Sequence, residues 1–310
     1  MGRGRIIVSG ATGFIGTALC RDLAENGYEV AVLTRSREKA ESVFGGATAI
    51  AEWNGETSDG WLDLAVGSLA IINLAGENIG ASRWTKKRKQ RLVRSRLAAG
   101  KAITEAVEKA AVKPKTIIQA SAVGYYGSRG DETLDESSGA GEGFLAGLAG
   151  EWERSTKPVE KFGLRRVIIR SGPVLDREGG FLTKVLLPFR LFVGGPLGLG
   201  LQWLSWIHRR DEIAAIRFLL EREDLAGAFN LTAPEPVRMR EFSKTLGRIM
   251  KRPSLFRVPG WLLALFFGEM ARETLLGGQK VLPKALLDSG YEFLFPDLES
   301  ALRESLGRVK

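Results

Sequence analysis

Val8-Ser9-Gly10-Ala11-Thr12-Gly13-Phe14-Ile15-Gly16 stands near the start of a 310-residue chain, and its reading decides the fold. The run before it, Arg5-Ile6-Ile7-Val8, is β-branched and reads as a buried strand. After it, Leu19, Leu23 and Ala24 keep helical spacing until Asn26-Gly27 ends the segment. Strand, glycine turn and helix make a dinucleotide site. Gly10 permits the tight turn, Gly13 lets backbone approach a pyrophosphate, and Gly16 lets helix pack closely on strand. Thr12, Phe14 and Ile15 lie on the same turn. The helix N-terminus offers free N–H groups to the anion.

Strand and helix alternate through about residue 170. Candidate strands are 5–9, 29–34, 48–52, 69–74, 116–121 and 166–170, with helical segments near 14–26, 36–43, 58–65, 84–111 and 143–162. This rhythm predicts an α/β, Rossmann-type, doubly wound parallel sheet over residues 1–175. The segment 127–143, rich in Gly, Ser, Asp and Glu, is expected as a surface loop near the site. Past residue 175 glycines and prolines punctuate an apolar region. Residues 211–220 read as helix, and a strand near 227–231 is expected to return to the sheet. Residues 176–310 then form a smaller substrate or lid lobe, mostly helical over 236–310.

Cys20 is the lone cysteine, so neither a disulfide nor a cysteine metal site is expected. The first residues carry no apolar leader core, and a cytoplasmic protein is expected. Two apolar stretches fall short of a membrane span. Residues 185–207 are broken by prolines and glycines, and 261–267 are far short of the roughly 20 residues a span needs. No membrane partner is expected. The net charge is +9, with 45 basic and 36 acidic residues. Eight of the basic ones fall between Arg83 and Arg96; removing them leaves 37 against 36. That window reads as one solvated basic helix start rather than a nucleic-acid surface. Arg96 falls beside the inward stripe formed by Val93, Gly100, Ile103 and Val107. A charge facing inward needs a partner, and a cofactor phosphate suits it.

The end of the second strand decides the ribose chemistry. An Asp or Glu there would hold a 2′-hydroxyl. This chain has Thr34-Arg35-Ser36, and a guanidinium favours a 2′-phosphate by charge and fork geometry. NADP is therefore expected, with Thr34 and Ser36 as further donors. Leu74-Ala75-Gly76, small residues after the fourth strand, are expected against the adenosine or pyrophosphate side. Asn54 is placed near the adenine.

The chain resembles the extended, epimerase-like branch of the short-chain dehydrogenase/reductases, and within it the SDR39U1-like "epimerase family" subgroup. The resemblance rests on segments in order: Gly10–Gly16, Asn73-Leu74-Ala75-Gly76-Glu77-Asn78, Ser95-Arg96, Ser121-Ala122-Val123-Gly124-Tyr125-Tyr126-Gly127, Arg170-Ser171-Gly172, Leu187-Pro188-Phe189-Arg190 and Trp206-Ile207-His208 with Asp211. It extends into the C-terminal lobe through Gly268-Glu269-Met270-Ala271 and Gly278-Gln279-Lys280-Val281. It implies NADP(H) binding on a Rossmann core, with Gly172 beside the cofactor, and an oxidoreductase or epimerase-like activity. It also implies a Tyr-x-x-x-Lys pair with a Ser, the Tyr acting as acid/base with cationic help. Here Phe144 stands where that Tyr would be, Leu148 where the Lys would be, and Ala122 at the Ser position. Tyr125, Tyr126 and Ser121 are the remaining candidates for proton transfer. Glu77, Arg190, Trp206 and His208 are candidates for an unknown small-molecule substrate. Without the pair, a non-catalytic NADP-binding sensor is the competing reading. A monomer or homodimer is expected.

Overall fold

A computed structural model describes residues 3–46 and 48–307. Seven parallel strands form its central sheet: β1 (Arg5–Ser9), β2 (Glu29–Thr34), β3 (Ala49–Glu52), β4 (Ala70–Asn73), β5 (Thr116–Ala122), β6 (Arg165–Ser171) and β7 (Gly227–Leu231). Their spatial order is β7-β6-β5-β4-β1-β2-β3. The chain winds outward from β1 to β3, then crosses back to lay β4 on the other side of β1. The switch point between β1 and β4 is where such sheets leave a crevice at their carboxyl ends.

Helices cover both faces: α1 (Phe14–Glu25), α2 (Arg37–Phe44), α3 (Leu62–Ala65), α4 (Lys86–Lys109) and α5 (Phe144–Ser155). The β-branched strand residues sort by pleat. Ile6 and Val8 enter the core on the α1 side, Ile7 the core on the α4 side. Cys20 is buried on α1 in the first of these cores.

The rest of the chain differs from its sequence reading in two respects. Residues 180–190 form an unbroken helix, α6 (Gly180–Arg190), although Pro188 lies inside it. Pro188 falls in the last turn, so little helix follows for it to disturb. The helix expected over 211–220 is α7 (Arg209–Glu221), and it packs on the sheet domain rather than within the lobe. Its stripe of Ile213, Ile216, Leu219 and Leu220 shares a core with Leu19 and Leu23 of α1. The lobe is completed by α8 (Met239–Met250), α9 (Gly260–Phe267) and α10 (Glu269–Thr274), whereas α11 (Lys284–Asp288) packs Leu286 into the sheet-domain core and α12 (Leu298–Ser305) returns to the lobe. Its separate core gathers Leu182, Leu186, Trp206, Phe242, Leu246 and Leu302.

Candidate functional site

The glycine turn leaves β1 at the switch point. Gly10 has φ +70°, and a Cβ there would lie 2.7 Å from the Leu74 carbonyl oxygen. The turn is thus pressed against the end of β4, and Leu74 and Ala75 lie beside it. A Cβ on Gly16 would lie 2.4 Å from the Gly10 oxygen, so any other residue would pry α1 off the turn. Gly13 caps α1 with an extended backbone, no side chain caps that helix, and its first turn carries no acid. The amides there stay open to an anion. Phe14 covers the other side. Its ring would lie 2.4 Å from a Cβ on Gly179, and Arg209 stacks over it at 5.2 Å.

Beneath the turn a string of buried polar groups crosses the strand ends. Ser9 donates to Asn73 at 2.7 Å, and Asn73 donates to Gln119 at 2.9 Å. Beside β1, β2 runs out into Thr34, Arg35 and Ser36 in register with Ser9 and Leu33. Arg35 is exposed, and no group among the described residues accepts from it. Thr34 and Ser36 are partly engaged: the Thr34 hydroxyl bonds Ser36 backbone, and the Ser36 hydroxyl caps α2 at Lys39. Asn54 is exposed, and its side chain turns the local loop by accepting from Glu56 and Thr57.

Arg96 is buried, as its sequence position implied, and it finds partners in the protein itself. It donates to the carbonyls of Leu92 and Glu77, each at 3.1 Å, and stacks on Trp152 at 4.7 Å. Burial brings its pKa down to about 10. Gly76 lies against this guanidinium, 3.1 Å from where its Cβ would be. Arg96 therefore fixes the loop after β4. Glu77 in that loop is ion-paired with Arg88 and Arg91. Desolvation raises its pKa, but Arg91 and Arg88 outweigh it and hold the carboxyl below the ordinary value.

At the end of β5 the expected acid/base position is apolar. Phe144 packs edge-on to Trp84 at 5.0 Å, and Leu148 is buried with Trp84, Leu92 and Met270. The α5 N-terminus is capped from the lobe: Glu273 accepts from Phe144 N–H at 3.0 Å and Leu145 N–H at 2.8 Å. The neighbouring hydroxyls are drawn into a buried network that sequence reading missed. Ser121 donates to Glu153 at 2.6 Å. Arg170 grips the same carboxylate with two nitrogens, at 2.9 and 3.0 Å, and donates to the Tyr126 hydroxyl at 2.9 Å. Tyr126 in turn donates to Asn230 at 2.7 Å and is sealed from solvent. Burial raises its pKa. Burial alone would lower the pKa of Arg170, but Glu153 reverses this and raises it. Tyr125 is different: it is half-buried, the Arg170 guanidinium lies 3.7 Å over its ring, and its hydroxyl has no partner among the described residues. Arg170 lies in one of the segments that carry the resemblance, whereas Glu153 and Asn230 belong to none; a charge on the buried face of α5 is the signal that could have found Glu153.

The substrate candidates scatter. Trp206, expected to wall a pocket, is instead wholly buried in the lobe core, because the apolar faces of α6 and α8 close over it. His208 is buried as the N-cap of α7, its Nδ1 accepting from Arg210 N–H at 3.2 Å. Desolvation, then Arg210 and Arg209, lower its pKa to about 4, so it is neutral near pH 7. Arg190 lines a separate cavity of about 200 Å³ with Leu186, Met250, Arg252 and Leu306. Gly172 has a packing reason of its own, since a Cβ would lie 2.0 Å from the Ser205 carbonyl oxygen.

A glycine turn at the switch point of a parallel sheet, with a helical lobe joined to the loop after β4, is the build of the NAD(P)-dependent epimerase fold. Residues 6–146 match the model of the NAD dependent epimerase/dehydratase family, and residues 258–305 match a domain of unknown function, DUF1731. The chain belongs to the epimerase family proteins. It is 38% identical over 306 residues to epimerase family protein YfhF of Bacillus subtilis, covering 98% of this chain and 99% of that one. A crystal structure of human epimerase family protein SDR39U1 (isoform 2) with NADPH superposes with TM-score 0.87 at 33% identity, covering 98% of this chain and 100% of that one. UDP-glucuronic acid 4-epimerase of Bacillus cereus has the same fold, with TM-score 0.79 at 18% identity over 98% of each chain.

Proposed function

We propose that the chain binds NADP(H) and acts as an oxidoreductase of the extended short-chain class on a small molecule. The observation that carries the cofactor reading is Arg35, an exposed guanidinium without a partner among the described residues at the end of β2. It stands where NAD-specific sites place a carboxylate. The relative solved with NADPH supports the same reading. Gly10, Gly13 and Gly16, with Thr12 and the amides at Phe14 and Ile15, would hold the pyrophosphate. Arg35 and the Ser36 hydroxyl would take the 2′-phosphate, and Leu74 to Gly76 would lie along the adenosine. When bound, the cofactor supplies a hydride donor or acceptor. The protein's part is to orient it and to manage a proton. Tyr125 is the candidate for that proton, because Ser121 and Tyr126 already spend their hydroxyl hydrogens on Glu153 and Asn230.

A second reading, a sensor that binds NADP(H) without turnover, draws on one observation. Phe144 and Leu148 fill the usual acid/base positions with packed apolar side chains. The test has two arms. NADPH should raise the melting temperature more than NADH at equal concentration, and Arg35→Ala should abolish the difference. Equal shifts would end the cofactor reading. NADPH oxidation on a carbonyl panel should fall at least tenfold in Tyr125→Phe. Tight NADPH binding with no oxidation of any panel member would leave the sensor reading.

A further inference from the structure

Most of the exposed large apolar side chains among the described residues lie in one part of the lobe, between Leu187 and Phe267. They come from two segments tied together by main-chain bonds. Phe256 N–H donates to Gly194 at 3.2 Å, and Gly198 N–H donates to Val258 at 2.9 Å. The tie brings the tip at 191–193 to Leu255 and Phe256, and Gly198 to the start of α9. Helix α9 reads Gly-Trp-Leu-Leu-Ala-Leu-Phe-Phe, and Leu263 alone is buried. Trp261 is 70% exposed and Phe266 63%. At about 100° per residue, the exposed Trp261, Leu265, Phe266 and Phe267 point around most of the helix. A helix that is apolar all round belongs in a core or in lipid.

Charge selects among occupants. Residues 179–208 and 242–268 contain no Asp or Glu. They contain Lys184, Arg190, Lys244, Arg248, Lys251, Arg252 and Arg257. Arg248 is paired with Glu299, whereas Lys244 and Lys251 are exposed with ammonium groups that pair with none of the described residues. A second copy would present the same cations to this face and be repelled. A protein groove would have to enclose nearly the whole of α9, whereas fluid hydrocarbon does so without matching its shape. The backbone also holds one apolar tip outward. Phe192 sits at φ +63°, a strained conformation for an aromatic residue, is 54% exposed, and is stacked by Arg252 at 4.2 Å.

We propose that this face docks the protein on an anionic lipid surface, with α9 and the tips at Phe192 and Phe256 in the acyl boundary and Lys244 and Lys251 among the headgroups. No helix of the described residues is long and apolar enough to cross a membrane. Span length, the criterion behind the expectation of no membrane partner, does not bear on a helix lying in the interface.

Vesicles of phosphatidylcholine alone, and of phosphatidylcholine with one-third phosphatidylglycerol, test the proposal by flotation. The protein should float with the anionic vesicles and stay below with the neutral ones. Binding should weaken in high salt and drop about fivefold for each of Lys244→Gln and Lys251→Gln. Trp261→Ser with Phe266→Ser should abolish it at an unchanged melting temperature. Tryptophan emission should shift to the blue on anionic vesicles, and Trp261→Phe should remove that shift while retaining flotation. Absence of flotation, equal flotation with both vesicles, or flotation that survives Trp261→Ser with Phe266→Ser would overturn the proposal. So would a dimer in sedimentation that those substitutions dissociate, which would assign the face to a second copy. Saturable binding of an acidic amphipathic peptide without vesicle binding would assign it to a protein.

Discussion

Glu212 is the residue whose chemistry is most altered by its place. It lies at the start of α7, fully buried; one carboxylate oxygen accepts from Ser171 at 2.5 Å, and the other has no partner. Burial raises its pKa from the ordinary 4.5 to about 8. The folded state therefore keeps a proton that the unfolded chain releases above pH 4.5, so stability falls as pH rises from 4.5 to 8. The penalty is on the order of 5 kcal/mol at its full extent. Glu212→Gln should flatten the decline in melting temperature between pH 5.5 and 8. A wild-type melting temperature that rises over that interval, with no difference in the variant, would sink the prediction. His208 acts at the other end. Its pKa near 4 means that the unfolded chain gains a proton below 6.5 that the folded chain refuses, so acid also destabilises.

Between elements, the network of Glu153 on α5 with Arg170 on β6 and Tyr126 after β5 fixes the carboxyl edge of the sheet. Both charged groups are buried, and their bidentate pairing is what makes that burial tolerable. Glu153→Gln should lower the unfolding free energy by roughly 3 kcal/mol, because it strands a buried guanidinium. Arg170→Met placed on top should recover part of the loss. Urea melts check this, and additive losses would show that the two residues are not one unit. Tyr126→Phe should lose about 1 kcal/mol by the same measure, with NADPH binding intact. These elements also mark how far the sequence could be read. Strands and helices through β6 follow from period and glycine punctuation, and the turn at 10–16 from its three glycines. Arg96 was legible as inward but not as partnered, because its acceptors are carbonyls of Leu92 and Glu77, which carry no side-chain signature. Ser121 and Tyr126 were legible as near the site. Their hydrogen bonds reach residues 32 and 104 positions away, and no local pattern encodes such pairing.

At the scale of the molecule, one set of bonds between the lobe and the sheet domain joins the lobe to the loop after β4 and to helices α4 and α5. Lys184 of α6 donates to the Gly80 carbonyl at 2.8 Å, and Arg83 reaches the Leu265 carbonyl at 3.5 Å. Lys89 of α4 pairs with Glu269 of α10, and Glu273 caps α5. The exposed pairs contribute little singly, as surface ion pairs do. The cap is stronger, because one carboxylate satisfies two amides that otherwise lack helical partners, at a helix end that favours negative charge. Glu273 is therefore one fastening between the two units, as Asp211 is where it accepts from Leu294 and Phe295 N–H. Glu273→Ala should lower the unfolding free energy by about 1–2 kcal/mol. Because the lost contact is local, amide exchange should accelerate at Phe144, Leu145 and along α10, while β1 and α1 keep their protection. NADPH should still raise the melting temperature of the variant, since the glycine turn and Arg35 lie on the far side of the sheet's switch point from this cap. If exchange rises equally in α1 and α10, the two units open together and the cap is not what fastens them.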